Sequence, residues 1–249
     1  MAEEEVDFQG MFDEPEEFAI SQPPPPQQRI FVRDVSGGQA SEIKLSIVGN
    51  HPLWAHVLWN GACVLAKEID QQPELVQGRS VLELGAGAAL PSITCALNGA
   101  STVVISDYPD QILLNNITLN VNANLQGYSN VHVRGHRWGS SVADLLGCNG
   151  GNLFDVIIMC DLVFNFSEHR ALLRTCVNTL AADGAAYIYF SHHRPHLADK
   201  DNDFLKIAQE EFEFKVEKIT EKIGTPQFEE DKGDRTVRST VHGFKMTWK

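Results

Sequence analysis

The chain has 249 residues, 43% of them apolar, with 20 bases against 33 acids and a formal charge of −13. That supports one large core near the upper size of a single domain, and an acidic chain with no basic patch argues against nucleic acid as a partner. Five scattered cysteines (Cys63, Cys95, Cys148, Cys160 and Cys176) form no C-x-x-C pair, which fits a reducing compartment and neither a disulfide framework nor a zinc site.

Residues 1–28 read as an acidic, proline-rich, disordered tail. Its first 17 residues hold eight acids and no base, and it closes on Pro23-Pro24-Pro25-Pro26. Without those eight acids the remaining chain is nearly balanced, so the charge belongs to the tail. The acidic start is not a secretory signal. The longest apolar stretch, around residues 81–97, contains Glu83 and Pro91 and predicts no membrane span. The cytoplasm is the expected location. Residues 29–249 form the folded domain. Arg29 to Val48 predicts two short strands around Ser36-Gly37-Gly38, a hairpin. His51 to Asp70 predicts a helix with Trp54, Val57, Leu58, Ala62, Leu65, Ala66 and Ile69 on its apolar face and Trp59 and Asn60 off it.

The most informative stretch follows, Ser80 to Pro109. Val81, Leu82 and Leu84 give a strand, and Gly85 and Gly87 break it. Leu90, Ile93, Thr94 and Leu97 recur at helical spacing, and Thr102 to Ser106 gives a second strand ended by Asp107. This is a βαβ nucleotide-binding unit whose Asp107 stands where it can take both ribose hydroxyls. Glu83, two residues before the turn, decides which nucleotide. A pyrophosphate seeks bare N–H groups and positive potential, which a carboxylate opposes. S-adenosylmethionine (SAM) has no phosphate and carries two cationic groups, so acid-x-Gly-x-Gly favours SAM over a nicotinamide dinucleotide. Capping of the following helix and a contact with a lysine are the other readings of Glu83.

Ile112 to Val121 then predicts a helix, and Val131, Val133 and Trp138 a third strand and its exit. Phe154 to Cys160 predicts a central parallel strand. Ser167 opens a helix, Ala185 to Ser191 is a fifth strand, and Asn202 to Glu211 a helix. Phe212 to Lys222 and Val241 to Trp248 alternate and are expected to pair antiparallel at one edge. The fold class is α/β: a doubly wound, mostly parallel sheet of seven strands, preceded by an N-terminal hairpin.

Seven strands, an acid-x-Gly-x-Gly turn and an acid after the second strand resemble the seven-β-strand SAM-dependent methyltransferases. Trp59 within LWNGACVLA, Trp138 within RGHRWG and Asp161-Leu162-Val163-Phe164 within MCDLVFN resemble that superfamily's lysine methyltransferase group. With LELGAGAALPSI, SDYPD and SHHRP, the likeness extends over roughly residues 30–249 and is greatest to the members that methylate the N-terminal glycine and adjacent lysine of translation elongation factor 1-alpha. The resemblance implies that Gly85, Ala86 and Gly87 lie against the methionine end of SAM. It likewise implies that Asp107 takes the ribose, that Trp59 and Trp138 line the pocket, and that Cys160 borders the cofactor. Asp161 and Phe164 are the catalytic candidates, Asp161 to orient the acceptor amine. Phe164 stands where many relatives have tyrosine; it cannot hydrogen-bond the amine but can pack on a lysine stem or offer a π face. Methyl transfer from a sulfonium is an in-line displacement that requires no metal. His192, His193 and His196 carry no zinc-helix spacing because Pro195 interrupts them, and they read as a loop bordering the substrate mouth. Nothing demands more than a monomer. Two other functions fit the residues: a nicotinamide-type small-molecule N-methyltransferase, and a non-catalytic SAM-binding module whose acidic tail docks a basic partner.

Overall fold

The computed structural model describes residues 25–35, 40–49 and 51–249. The tail through residue 24 and the Ser36-Gly37-Gly38 turn lie outside the described residues.

Strands β1 (Gln27–Val32) and β2 (Glu42–Ile47) pair antiparallel, the expected hairpin, with β1 beginning two residues earlier than Arg29. Helix α1 runs Asn60–Gln71. The main sheet is built from β3 (Ser80–Leu84), β4 (Thr102–Asp107), β5 (Val131–Gly135), β6 (Phe154–Cys160), β7 (Leu180–Ser191), β8 (Phe214–Ile223) and β9 (Thr240–Trp248) in the order β5-β4-β3-β6-β7-β9-β8. The first five are parallel; β9 inserts antiparallel between β7 and β8. From β3 the chain steps outward through β4 and β5, then returns to β6 on the other side. The bend between β3 and β6 is therefore the switch point, where ligands of open α/β sheets bind beyond the carboxyl ends of the strands.

Helices α2 (Leu90–Leu97) and α3 (Gln111–Asn124) join α1 on one face; α4 (Ala143–Cys148), α5 (His169–Thr179) and α6 (Ala198–Glu211) cover the other. Strand alternation splits the core between the faces: Val81, Val103 and Ile158 pack with α1 and α2, while Leu82, Val104 and Ile157 pack with α5 and α6. By the same alternation Glu83 points toward α2. A short helix α7 (Arg235–Ser239), capped by the Asp234 carboxylate on Val237 N–H, leads into β9.

Four predicted boundaries shift in the structure. The helix expected from His51 starts only at Asn60. Trp54 has φ +61°, a left-handed conformation that no right-handed helix accepts, and the His51 ring takes the amide of Leu53. Trp59, extended at ψ 144°, becomes the residue that enters α1 rather than a residue within the helix. β7 begins at Leu180 instead of Ala185: Asp183-Gly184, which reads as a turn, lies in a bulge where the pairing jumps from Phe154–Leu180 to Val156–Ala185. The two later helices also shift. α5 starts at His169 after a 3₁₀ turn over Phe166–Glu168, and α6 starts at Ala198 after a turn begun by Pro195.

Candidate functional site

The carboxyl ends of β3, β4 and β6 open into a cleft of about 650 Å³, a size suited to a small-molecule ligand. The glycine turn after β3 is its floor. At Gly85 (φ +67°) a Cβ would lie 2.6 Å from Leu162 Cδ2 and 3.3 Å from Trp138 Cζ2, so a side chain has no room. At Gly87 (φ +54°) a Cβ would meet nothing within 4 Å, which leaves bare backbone facing the cleft.

Asp107 closes back onto this turn. Its Oδ2 accepts from Gly87 N–H at 2.8 Å and its Oδ1 from Tyr108 N–H at 2.7 Å. A carboxylate offers about four acceptor positions, so two remain for a ligand. Burial raises the Asp107 carboxyl above its ordinary value, and the two amides oppose that rise. Glu83 is buried beneath the turn and accepts from Ser92 N–H at 3.2 Å, in the first turn of α2. Burial pushes its carboxyl up to about 8. It both meets the helix terminus and lines the cleft, so the capping and the SAM readings of this residue are compatible.

At the end of β6, Cys160 and Asp161 face the same cleft. The Cys160 thiol is raised well above its ordinary value, by burial first and by Glu83 second, and is no nucleophile. Asp161 has φ +51° and is 2% exposed. Gly61 N–H donates to its Oδ2 at 2.8 Å; Ser191 N–H and His193 Nε2 each donate to its Oδ1 at 3.1 Å. Gly61 is required here, because a Cβ would lie 2.5 Å from that Oδ2. Three donors on about four acceptor positions leave one lone pair, on Oδ2.

One wall is aromatic. Trp59 stacks on Phe164 with centroids 5.9 Å apart and 25° between planes, and Phe228 meets Trp59 edge-on at 6.0 Å. Trp138 stands across the glycine floor, and half-exposed Leu53 and Trp54 form the rim. Every residue singled out above as a site residue thus lines this one cleft, Ala86 included. The histidines separate. His192 Nδ1 pairs with Asp201 at 2.8 Å, His196 is exposed, and His193 joins Asp161.

Two participants escaped the sequence reading. His193 reads as one more residue of its polar loop, and Phe228 sits in a polar stretch whose register to Trp59 only the fold sets. Gln227 ties that stretch to the start of α1, accepting from Asn60 N–H at 3.0 Å. No local pattern signals either contact.

A ligand with two cationic groups, a ribose and no phosphate fits a floor of bare glycine backbone bordered by two buried carboxylates. SAM meets that description. A family profile described as lysine methyltransferase matches residues 42–211. The protein N-terminal and lysine N-methyltransferase efm7 of Schizosaccharomyces pombe is 44% identical over 99% of this chain and 98% of its own length. The EFM7 protein of the same description from Candida glabrata is 42% identical over 97% and 96%. Among solved structures, a protein assigned as a SAM-dependent methyltransferase from Streptococcus mutans superposes with TM-score 0.58 at 15% identity, over 88% of this chain and 56% of its own. Another, assigned as a methyltransferase and solved with S-adenosylhomocysteine (SAH), gives 0.57 at 14% identity over 90% and 57%. These two share the fold. The carboxylate-bordered glycine floor and the extent of the match make this chain a member of the lysine methyltransferase family, with SAM as its methyl donor.

Proposed function

We propose that this protein methylates the N-terminal glycine and the adjacent lysine of translation elongation factor 1-alpha, as a cytoplasmic monomer. The observation that carries the reading is Asp161: a buried carboxylate, held by three donors, with one lone pair left beside an aromatic wall. That is a receptor for an amine. The names of the curated relatives, each a protein N-terminal and lysine N-methyltransferase, support a protein acceptor. The elongation-factor target rests on the motif resemblance.

Bound at the glycine floor, SAM supplies a methyl group already activated by its sulfonium. The chain's residues do the rest. Gly85, Ala86 and Gly87 provide close backbone approach, Asp107 takes the ribose hydroxyls with its two free positions, and Glu83 offers a charge to the cationic end. Trp138 and Cys160 fill the sides. Asp161 accepts an N–H of the acceptor through its free Oδ2 position, which turns the nitrogen lone pair toward the methyl group. Trp59 and Phe164 enclose the acceptor's carbon chain and exclude water. Such positioning contributes on the order of 7–11 kcal/mol in well-oriented systems. The acceptor must be neutral. An α-amine, with a pKa near ~8, is neutral far more often than a lysine near ~10.4. The wall therefore matters most for lysine, whose charged form it disfavours by desolvation.

The test is mass spectrometry of the purified protein with labelled SAM and a peptide of the elongation factor's amino terminus. Methyl groups on the α-amine and neighbouring lysine support the reading. No incorporation there, with turnover of nicotinamide instead, would refute it.

A further inference from the structure

Asp161 is fixed by donors from three separate parts of the chain: the start of α1, the end of β7 and the loop beyond it. Two are backbone amides, those of Gly61 and Ser191. The third, His193 Nε2, is a side chain. The same imidazole lies 4.8 Å from the Trp59 ring centroid, tilted by 52°, and 6.5 Å from Phe228. Its side chain is 12% exposed and lies behind Asp161 and Trp59, which face the cleft. One ring therefore braces both the amine-accepting carboxylate and the aromatic wall, and it is not itself part of the cleft lining.

We propose that His193 is a positioning residue for methyl transfer, acting through Asp161. This rests on the methyltransferase reading of the cleft. The physical reason is rotational. The terminal torsion of an aspartate is broad and roughly two-fold, so a carboxylate is not aimed by its rotamer alone. Gly61 N–H holds Oδ2 and Ser191 N–H holds Oδ1, one donor on each oxygen, which still allows that torsion a small swing. A third donor, from a ring that is itself wedged against Trp59, removes that freedom and aims the free Oδ2 lone pair. The imidazole must present Nε2–H to the carboxylate, since an ionised carboxylate only accepts. The other two histidines of the segment supply no substitute. His192 is engaged by Asp201, and His196 is exposed.

Three variants separate the donor from the ring. His193→Gln can still offer an N–H; His193→Phe keeps a ring against Trp59 and offers none; His193→Leu loses both. The acceptor is whichever of a panel turns over fastest with wild type: Gly-Lys and other free-amine peptides, acetylated lysine peptides and butylamine. A wrong protein target is thus read separately, from which acceptor reacts. The expected result is a fall in kcat of about 30–100-fold for His193→Phe, the scale of a misaimed reacting group. Its SAH affinity by calorimetry should stay within about two-fold of wild type, while His193→Gln recovers kcat to within about five-fold. If His193→Phe misfolds, His193→Leu against His193→Gln reads the same contrast. The proposal is overturned by any of three results: the donor-free variant within about three-fold of wild type, the Gln variant no better than it, or a loss that follows SAH affinity rather than kcat.

Discussion

Replacing Glu83 by glutamine is expected to make the ligand-free protein more stable and the cofactor bind less well. In the folded chain the Glu83 carboxyl is pushed up to about 8 by burial, against an ordinary 4.5. The folded state therefore holds a proton that the unfolded chain releases above 4.5. Stability from this group is fully present below 4.5 and is lost as pH rises through about 8. The whole interval is worth on the order of 4–5 kcal/mol, taken up at no more than about 1.4 kcal/mol per pH unit. Glutamine has no proton to lose and can still accept from Ser92 N–H through its carbonyl oxygen. The stability difference between Glu83→Gln and wild type should thus grow steadily from pH 5 to pH 8 and then level off. Urea unfolding of both proteins without ligand, at one-unit intervals of pH, measures it; Asp107 and the other groups titrate in both and largely cancel. Saturating SAM should shrink the difference, because a cation beside Glu83 favours the charged form, and binding near pH 7 should release protons in calorimetry. A difference independent of pH would refute the argument. So would a variant that binds SAM as tightly as wild type.

Gly61→Ala sets helix propensity against sterics. Alanine gains at most about 1 kcal/mol over glycine in a helix, and less in the first turn where Gly61 lies, but its Cβ would press on Asp161 Oδ2 at 2.5 Å and Tyr189 O at 2.9 Å. The clash should win, with a net loss of about 1–3 kcal/mol in chemical unfolding and a fall in kcat with it. Asp161→Asn keeps the volume but turns an N–H₂ toward a site where all three neighbours donate. It should cost about 1–3 kcal/mol of stability and about 10²-fold or more in kcat, with SAH affinity little changed. Asp107→Asn should instead weaken SAH binding by about 10–100-fold, the worth of a hydrogen bond to a charged group, when measured by calorimetry.

The parts of this protein legible in its sequence are those whose signals are local. The change from period two to period 3.6 around Gly85 and Gly87 is a property of some thirty consecutive residues, and it marks both β3 and the floor of the cleft. Asp107 and Asp161 follow from being acids at the ends of apolar runs, Thr102–Asp107 and Phe154–Cys160. The segment before α1 reads as helix because its residues are apolar at helical spacing, and Trp54's left-handed backbone interrupts it. His193 and Phe228 were invisible in a different way. Each acts by touching Trp59, and that touch depends on where β7 and the loop after β8 arrive. A histidine in a polar loop looks the same whether it faces solvent or braces a carboxylate.

The three carboxylates at the ends of β3, β4 and β6 explain why this site takes the ligand it does. Glu83, Asp107 and Asp161 stand on three adjacent parallel strands, each buried and each given at least one backbone N–H. In isolation such a grouping is costly. Burial is the largest cause raising both Glu83 and Asp107; Asp107 further raises Glu83, and Asp110 further raises Asp107. A dinucleotide would add a doubly charged pyrophosphate to this field and be repelled. SAM brings an ammonium and a sulfonium, and the acceptor amine brings a third site of positive character. The cationic donor therefore favours the charged forms of Glu83 and Asp107, which burial in the empty cleft disfavours. The same acids that lower the stability of the free protein select a cationic methyl donor over a phosphorylated coenzyme, and selection and instability have one physical origin.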